Sequence, residues 1–242
     1  MSYLTPKSVF LWLCLWSFPV FAINTIQISS EHSWAEKFDA KELKTYVQLT
    51  SGGLKLSGTA AQITLAEPLN QLRNVTFECT KAAWLTDAFR CQSGSLQFSH
   101  PELGQQQIQF SLDVSTEGEQ YDIQLKNLRL DGGTVSLDIS LDEQHWDANI
   151  DAQNIPLSAL QKWLPQFLDK QYIDVVNNWQ PQGQISVQAR LDGNLLGVLS
   201  ATAKWQLADL GFSNTTASQV AENVTMQGDV ALYNTDNTWD IV

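Results

Sequence analysis

Three histidines, His32, His100 and His145, are the side chains best suited to move protons or hold a metal near neutral pH. None has a second histidine at ligand spacing. Each stands near a predicted turn or strand end, where a solvated loop histidine is expected. The chain carries no H-E-x-x-H, no G-x-S-x-G and no phosphate-cradling glycine loop. Carboxylates are the remaining candidates. Asp113, Asp138, Asp142, Asp147 and Asp151 recur along polar strand positions. A pair meeting across two strands is what glycoside hydrolysis demands, so a secreted hydrolase using Asp138 and Asp147 is one reading. A wet sheet face explains the same spacing more simply. Asn234 to Asp240 is rich in Asn and Asp but lacks the glycine and terminal Glu of a calcium loop, and reads as a turn. No catalytic residue, metal or cofactor is expected, and the chain reads as non-enzymatic.

The cysteines carry the clearest chemistry. Residues 1–22 read as an export signal: Lys7 precedes an apolar run from Ser8 to Ala22 of about 15 residues, short of the ~20 a bilayer span needs. Pro19 breaks the helix, and Val20-Phe21-Ala22 offers small residues at a cleavage position. The alternative is an uncleaved N-terminal anchor. Cys14 lies in this leader, leaving Cys79 and Cys91. Two thiols in an oxidising compartment pair, and closing that loop stabilises the fold by about 3 kcal/mol on the chain-entropy model. Asn-x-Ser/Thr triplets at Asn74, Asn214 and Asn223 read as chance in a chain rich in Asn and Thr.

The elements that must position these residues are strands. Apolar and polar residues alternate through Ile108–Val114, Val135–Leu141, Trp146–Ala152, Ile185–Leu191 and Leu199–Leu207, giving each strand one greasy and one wet face. Shorter stretches occur at Val47–Leu49, Leu54–Leu56, Ile63–Leu65, Val75–Cys79, Leu96–Phe98 and Val224–Met226. Asp131-Gly132-Gly133, Glu143-Gln144-His145 and Asp192-Gly193-Asn194 read as hairpin turns. The phase flips between Leu125 and Leu128, which predicts a β-bulge near Lys126-Asn127. Short turns argue for an antiparallel meander, because parallel pairing needs long crossovers. One short helix is expected to interrupt it near 156–168, from Leu157, Leu160, Trp163, Leu164, Phe167 and Leu168, with Pro156 in its first turn and Pro165 kinking or ending it. Tyr172 to Gln182 reads as a connector. Trp239 to Val242 reads as a strand with an open edge, awaiting a further segment or a partner.

With 242 residues, 43% hydrophobic and 17% charged, the chain can build a substantial core, and residues 23–242 read as a single β-rich domain. A net charge of −12 repels phosphate backbones, so nucleic acid is not an expected partner. The apolar strand faces must be buried in a closed barrel, a two-sheet sandwich or a curved sheet that covers a ligand. A curved, partly open sheet suits acyl chains, since each buried CH₂ is worth ~0.8 kcal/mol. The inward residues that would line such a groove are Phe110, Leu112, Leu137, Ile139, Trp146, Ile150, Val187 and Trp205.

The run Ala152-Gln153-Asn154-Ile155-Pro156-Leu157-Ser158-Ala159-Leu160-Gln161-Lys162-Trp163-Leu164-Pro165, then Gly183–Leu191, Trp205–Asn214 and Ala221–Val224, resembles the AsmA-like proteins of Gram-negative bacteria, in particular the YdbH-like branch. The paired cysteines after an N-terminal signal fit that branch too. The resemblance covers roughly residues 45–240. It implies a mainly β, antiparallel, groove-like sheet in the periplasm that conducts phospholipid between inner and outer membranes, with envelope proteins of either membrane as partners. It carries no catalytic residues across. Members of the family are usually much longer and keep an inner-membrane anchor, so this chain reads as an N-terminal piece of such a bridge. The rival reading is a structural or assembly module of the envelope with a filled core.

Overall fold

A computed structural model describes residues 25–35, 38–50, 53–65, 71–115, 119–159, 181–194, 197–213, 220–235 and 238–241. The leader at 1–22, the helix from residue 160 onward and the connector up to residue 180 lie outside the described residues.

Thirteen strands pair in strict sequence order into one antiparallel sheet. They are β1 (Thr25–Ala35), β2 (Phe38–Thr50), β3 (Gly53–Thr64), β4 (Gln71–Trp84), β5 (Ala88–His100), β6 (Gly104–Ser115), β7 (Gln120–Leu130), β8 (Gly133–Leu141), β9 (His145–Pro156), β10 (Gln182–Asn194), β11 (Gly197–Ser213), β12 (Val220–Thr235) and β13 (Thr238–Ile241). The first and last strands each have a single partner, so the sheet is a curved, open meander rather than a barrel or a sandwich. Among the described residues, helix is confined to one turn at residues 157–159, where Leu157 follows Pro156.

The hairpin turns at Asp131-Gly132 and Glu143-Gln144 stand where the sequence places them, and others are shifted. Asp192, Gly193 and Asn194 continue β10 and pair with Asp147, Trp146 and His145. The β8–β9 turn is centred on Asp142, whose carboxylate accepts the amides of Gln144 and His145, both at 2.7 Å. The segment expected to be a turn at Asn234–Asp240 is instead mostly a hairpin, with Asn234 opposite Trp239. Two short stretches, Leu54–Leu56 and Ile63–Leu65, join into the single strand β3 and its end. β1 has no counterpart in the sequence reading, because its run of Ser, Glu and His hides the alternation.

Bulges give the sheet its bend. The ladder slips between Leu125 and Leu128, as the sequence phase predicts, and Asn127 there has φ 67°. The same device recurs at Asn74 in β4, Asn154 in β9, Asp209 in β11 and Asn223 in β12, with φ between 50° and 56°. A short side chain that can bond its own backbone tolerates this left-handed region better than a branched one. Asn74 and Asn223 head two of the three Asn-x-Ser/Thr triplets, so backbone geometry accounts for an asparagine at both places. Each bulge sharpens local twist, and a strongly twisted open sheet of more than ~10 strands curls rather than staying flat.

The core sits on one face of the first half. Ala60, Leu72, Val75, Phe98 and Ile108 form one buried cluster, extended by Leu43, Leu96, Leu125 and Leu128. Val75 is only 1% exposed. A second cluster surrounds the disulfide between Cys79 and Cys91, packed by Leu54, Leu56, Phe89, Phe110 and Leu112. The expected pairing of these cysteines is thus present, joining β4 to β5 within the core.

Candidate functional site

Antiparallel register assembles the apolar residues into rungs that cross the sheet at right angles to its strands. One rung runs Ile26, Val47, Leu56, Cys79, Gly94, Phe110, Leu125, Leu137, Ile150, Ala189, Ala203 and Val230, each residue directly opposite the next. It passes through twelve strands, a path of roughly 50 Å at the usual ~4.8 Å spacing. A neighbouring rung runs Leu54, Ala82, Cys91, Leu112, Ile123, Ile139, Ala148, Leu191, Ala201 and Leu232. A third joins Val135, Ala152, Val187, Trp205 and Gly228. No charged residue interrupts any of the three.

All eight residues expected to line a groove lie on this face, but they fall into two groups. Phe110 and Leu112 pack against the disulfide cluster and belong to the filled half. Leu137, Ile139, Trp146, Ile150, Val187 and Trp205 are half-buried on strands β8 to β11, where no second sheet covers them among the described residues.

The relief of this second half is low, for two reasons that side-chain size alone did not reveal. Ala148, Ala152, Ala189, Ala201 and Ala203 occupy positions where Leu or Phe would stand up from the sheet. The aromatic rings also lie down. Trp146 faces Gly193 and Trp205 faces Gly228 across the ladder. A methyl built on Gly193 would sit 2.5 Å from Trp146 Cζ2, and one on Gly228 would sit 2.7 Å from Trp205 Cζ2, so each ring rests on its glycine. The same pairing seats Phe77 on Gly58 and Phe110 on Gly94 in the filled half. Trp146 Nε1 donates to the Asn194 carbonyl at 3.0 Å, which holds the ring in that posture. The tryptophans therefore pave the face instead of plugging it. Alternation marks these alanines as inward-facing, but the glycine partners become visible only with the register.

The opposite face is polar and carries a separate hollow of about 620 Å³. One wall is the rung Gln124, Asp138, Asn149, Arg190 and Thr202. The other is Ser136, Asp151, Gln188, Lys204 and Asp229, with the backbone of the apolar rung as its floor. Cross-strand bonds knit this face: Gln124 Nε2 donates to Asp138 at 3.3 Å, Ser140 donates to Asp122, and Ser200 donates to Asp192. Asp138 and Asp147 both belong here, on adjacent strands and in different rungs, with Asn149 and Ser140 as their direct neighbours. Arg90 Nε bonds Asp113 at 2.6 Å on the same face.

The histidines divide differently from expectation. His32 lies within β1 and contacts Asp39 across the ladder at 3.0 Å. His145 is exposed at the start of β9. His100 is not a solvated loop residue: it is buried at the end of β5, and its Nδ1 accepts the amides of Glu102 and Leu103 at 3.2 and 3.3 Å, closing the β5–β6 turn. Gln106 beside it spans β6 and β7 through the backbone of Arg129, giving and accepting at 3.0 Å. Both polar side chains are buried and serve the fold. Among the described residues, no group of three or more His, Cys, Asp or Glu is arranged to hold a metal ion, and no helix is long and apolar enough to cross a membrane.

What fold and face define is a one-layer antiparallel meander with an uninterrupted apolar strip on one side. No protein-family model, curated protein or solved structure matches the chain.

Proposed function

We propose that this chain is a non-enzymatic envelope protein that conducts phospholipid, acyl chains against the apolar face of its sheet, between the inner and outer membranes of a Gram-negative cell. The observation that carries the reading is the rung from Ile26 to Val230, apolar throughout and flanked by two more in β8 to β12. A chain of CH₂ groups gains about 0.8 kcal/mol for each one removed from water, and from β8 to β12 the strip offers that gain along its length rather than at one pocket. Alanines and flattened tryptophans leave room above the face. The resemblance to AsmA-like and YdbH-like proteins points the same way. Export to the periplasm by the N-terminal segment, cleaved or retained as an inner-membrane anchor, accords with a disulfide buried in the core.

The test is native mass spectrometry of the purified chain. Phospholipid should copurify with it, and replacing Ala189 and Ala203 by Phe should strip that lipid while leaving the circular dichroism spectrum unchanged. Lipid-free wild-type protein, or lipid retained at full occupancy by the double variant, would overturn the reading.

The filled half, β3 to β7, favours a second reading in which the chain is an assembly module of the envelope, its packed clusters forming a rigid base. Crosslinking in cells to one neighbouring envelope protein, with no lipid bound, would support it.

A further inference from the structure

We propose that the tip of the β4–β5 hairpin is a docking site for the interfacial layer of an electrically neutral phospholipid bilayer. This tip lies at the margin of the same apolar face and would act whether or not the strip carries lipid.

Six of the ten exposed large apolar side chains among the described residues, Leu49, Trp84, Leu85, Tyr121, Leu199 and Tyr233, stand at the margin where β2–β3, β4–β5 and every second later hairpin turn; Ile26, Ile28, Trp34 and Met226 lie elsewhere. The outermost apolar rung at that margin is Trp84, Phe89, Val114, Tyr121, Leu141 and Trp146, so aromatics make up most of it. Trp and Tyr favour the boundary between hydrocarbon and water, because an apolar ring carries a polar handle.

The hairpin tip is the most exposed part of this margin. Trp84 is 78% exposed and Leu85 44% exposed. Neither is held out by disorder of the turn. The Leu85 amide donates to the Ala88 carbonyl at 2.8 Å, and Trp84 meets Phe89 edge to face with centroids 5.6 Å apart. The Cys79–Cys91 bond clamps the two strands behind them. A preorganised apolar tip loses little freedom on insertion.

Charge selects the partner. Lys55, Lys81 and Arg90 lie on the polar face behind the tip, with Lys81 about 10 Å back along its strand at ~3.3 Å per residue. That is where headgroup phosphates would lie once Trp84 reached the acyl boundary. Lys55 and Arg90 are paired with Glu78 and Asp113 at 2.8 and 2.6 Å, and Asp87 in the turn offsets Lys81, so this corner is close to neutral in a chain of net charge −12. An anionic membrane would repel the rest of the molecule. A zwitterionic surface accepts the tip without that cost.

Flotation of the disulfide-intact, full-length protein with phosphatidylcholine vesicles tests this. Wild type should float, and Trp84→Ser/Leu85→Ser should lower the partition coefficient about ten-fold or more, with unchanged thermal unfolding and unchanged copurifying lipid. In vesicles of brominated phosphatidylcholine, tryptophan emission should be quenched in wild type, with that quenching reduced in Trp84→Phe. Three results overturn the proposal: no flotation, flotation equal in the double variant, or flotation only on phosphatidylglycerol vesicles. So would self-association that the double variant abolishes without any vesicle binding, since the tip would then serve a protein contact.

Discussion

If Trp205 lies flat because Gly228 faces it, adding one methyl at that glycine must lift the ring. In Gly228→Ala the new Cβ would stand 2.7 Å from Cζ2, 3.0 Å from Cε2 and 3.3 Å from Nε1 of Trp205. Carbon atoms are at their optimal separation at ~3.5–4.0 Å, so the indole must move by about 1 Å or tilt off the sheet. Overpacking of this kind costs ~1–3 kcal/mol. Alanine gains back ~0.5–1 kcal/mol over glycine in a strand through lost freedom of the unfolded chain. The net expectation is a loss of about 1–2 kcal/mol. In a Trp205→Ala background the obstacle is gone, and the same change should become neutral or stabilising by about 0.5 kcal/mol. A double-mutant cycle read by urea unfolding, with far-ultraviolet circular dichroism as the probe, should therefore show coupling of about 2 kcal/mol. Equal cost in both backgrounds would refute the resting-ring argument, and with it the low relief claimed for this half of the face.

Other expectations follow from single contacts. Replacing Cys79 and Cys91 together by Ala should cost about 3 kcal/mol, seen as a lower urea midpoint that reductant no longer shifts. Asn127→Gly should be nearly neutral in thermal unfolding, whereas Asn127→Val should lose ~1–2 kcal/mol, because a branched residue resists the left-handed bulge conformation. The amides of Gln144 and His145, followed by His, hold the Asp142 carboxyl below its ordinary value of 3.8. A depressed carboxylate contributes stability above its unfolded pKa and loses it as pH falls through the folded one. Protection of the Gln144 and His145 amides, measured relative to intrinsic exchange, should therefore hold above about pH 3.8 and be lost as pH falls below it, and Asp142→Ala should lack that protection at every pH.

Strand periodicity was legible wherever Val, Ile and Leu alternate with polar residues, and the bulge at Asn127 was legible from a phase flip. The other bulges were not. Asn74 and Asn223 sit in short segments where one displaced residue cannot be told from a turn. Gly193 reads as a turn glycine because Asp and Asn flank it; its actual role, a seat for Trp146, depends on a partner 47 positions away in sequence. The same limit applies to the candidate site. Sequence alternation placed Phe110 and Trp205 on one face, but only register separates the residue packed on the disulfide from the residue left above an open floor. His100 looked solvated because it stands near a predicted strand end, yet the turn it caps folds back and buries it.

Among the described residues, every substantial interface joins strands that are consecutive along the chain. Such a sheet behaves as a one-dimensional stack in which each hairpin answers only to the two beside it. Closure of short loops should let it form quickly, starting where the clusters around Val75 and Cys79 are densest and spreading outward like a zipper. Hydrogen exchange should then be slowest in β4 to β6 and quicken stepwise toward β1 and β13. The same linear logic means a hairpin could be inserted or removed at the margin of the meander while the remaining rungs kept their alignment, so the length of the apolar path is a quantity evolution can adjust two strands at a time.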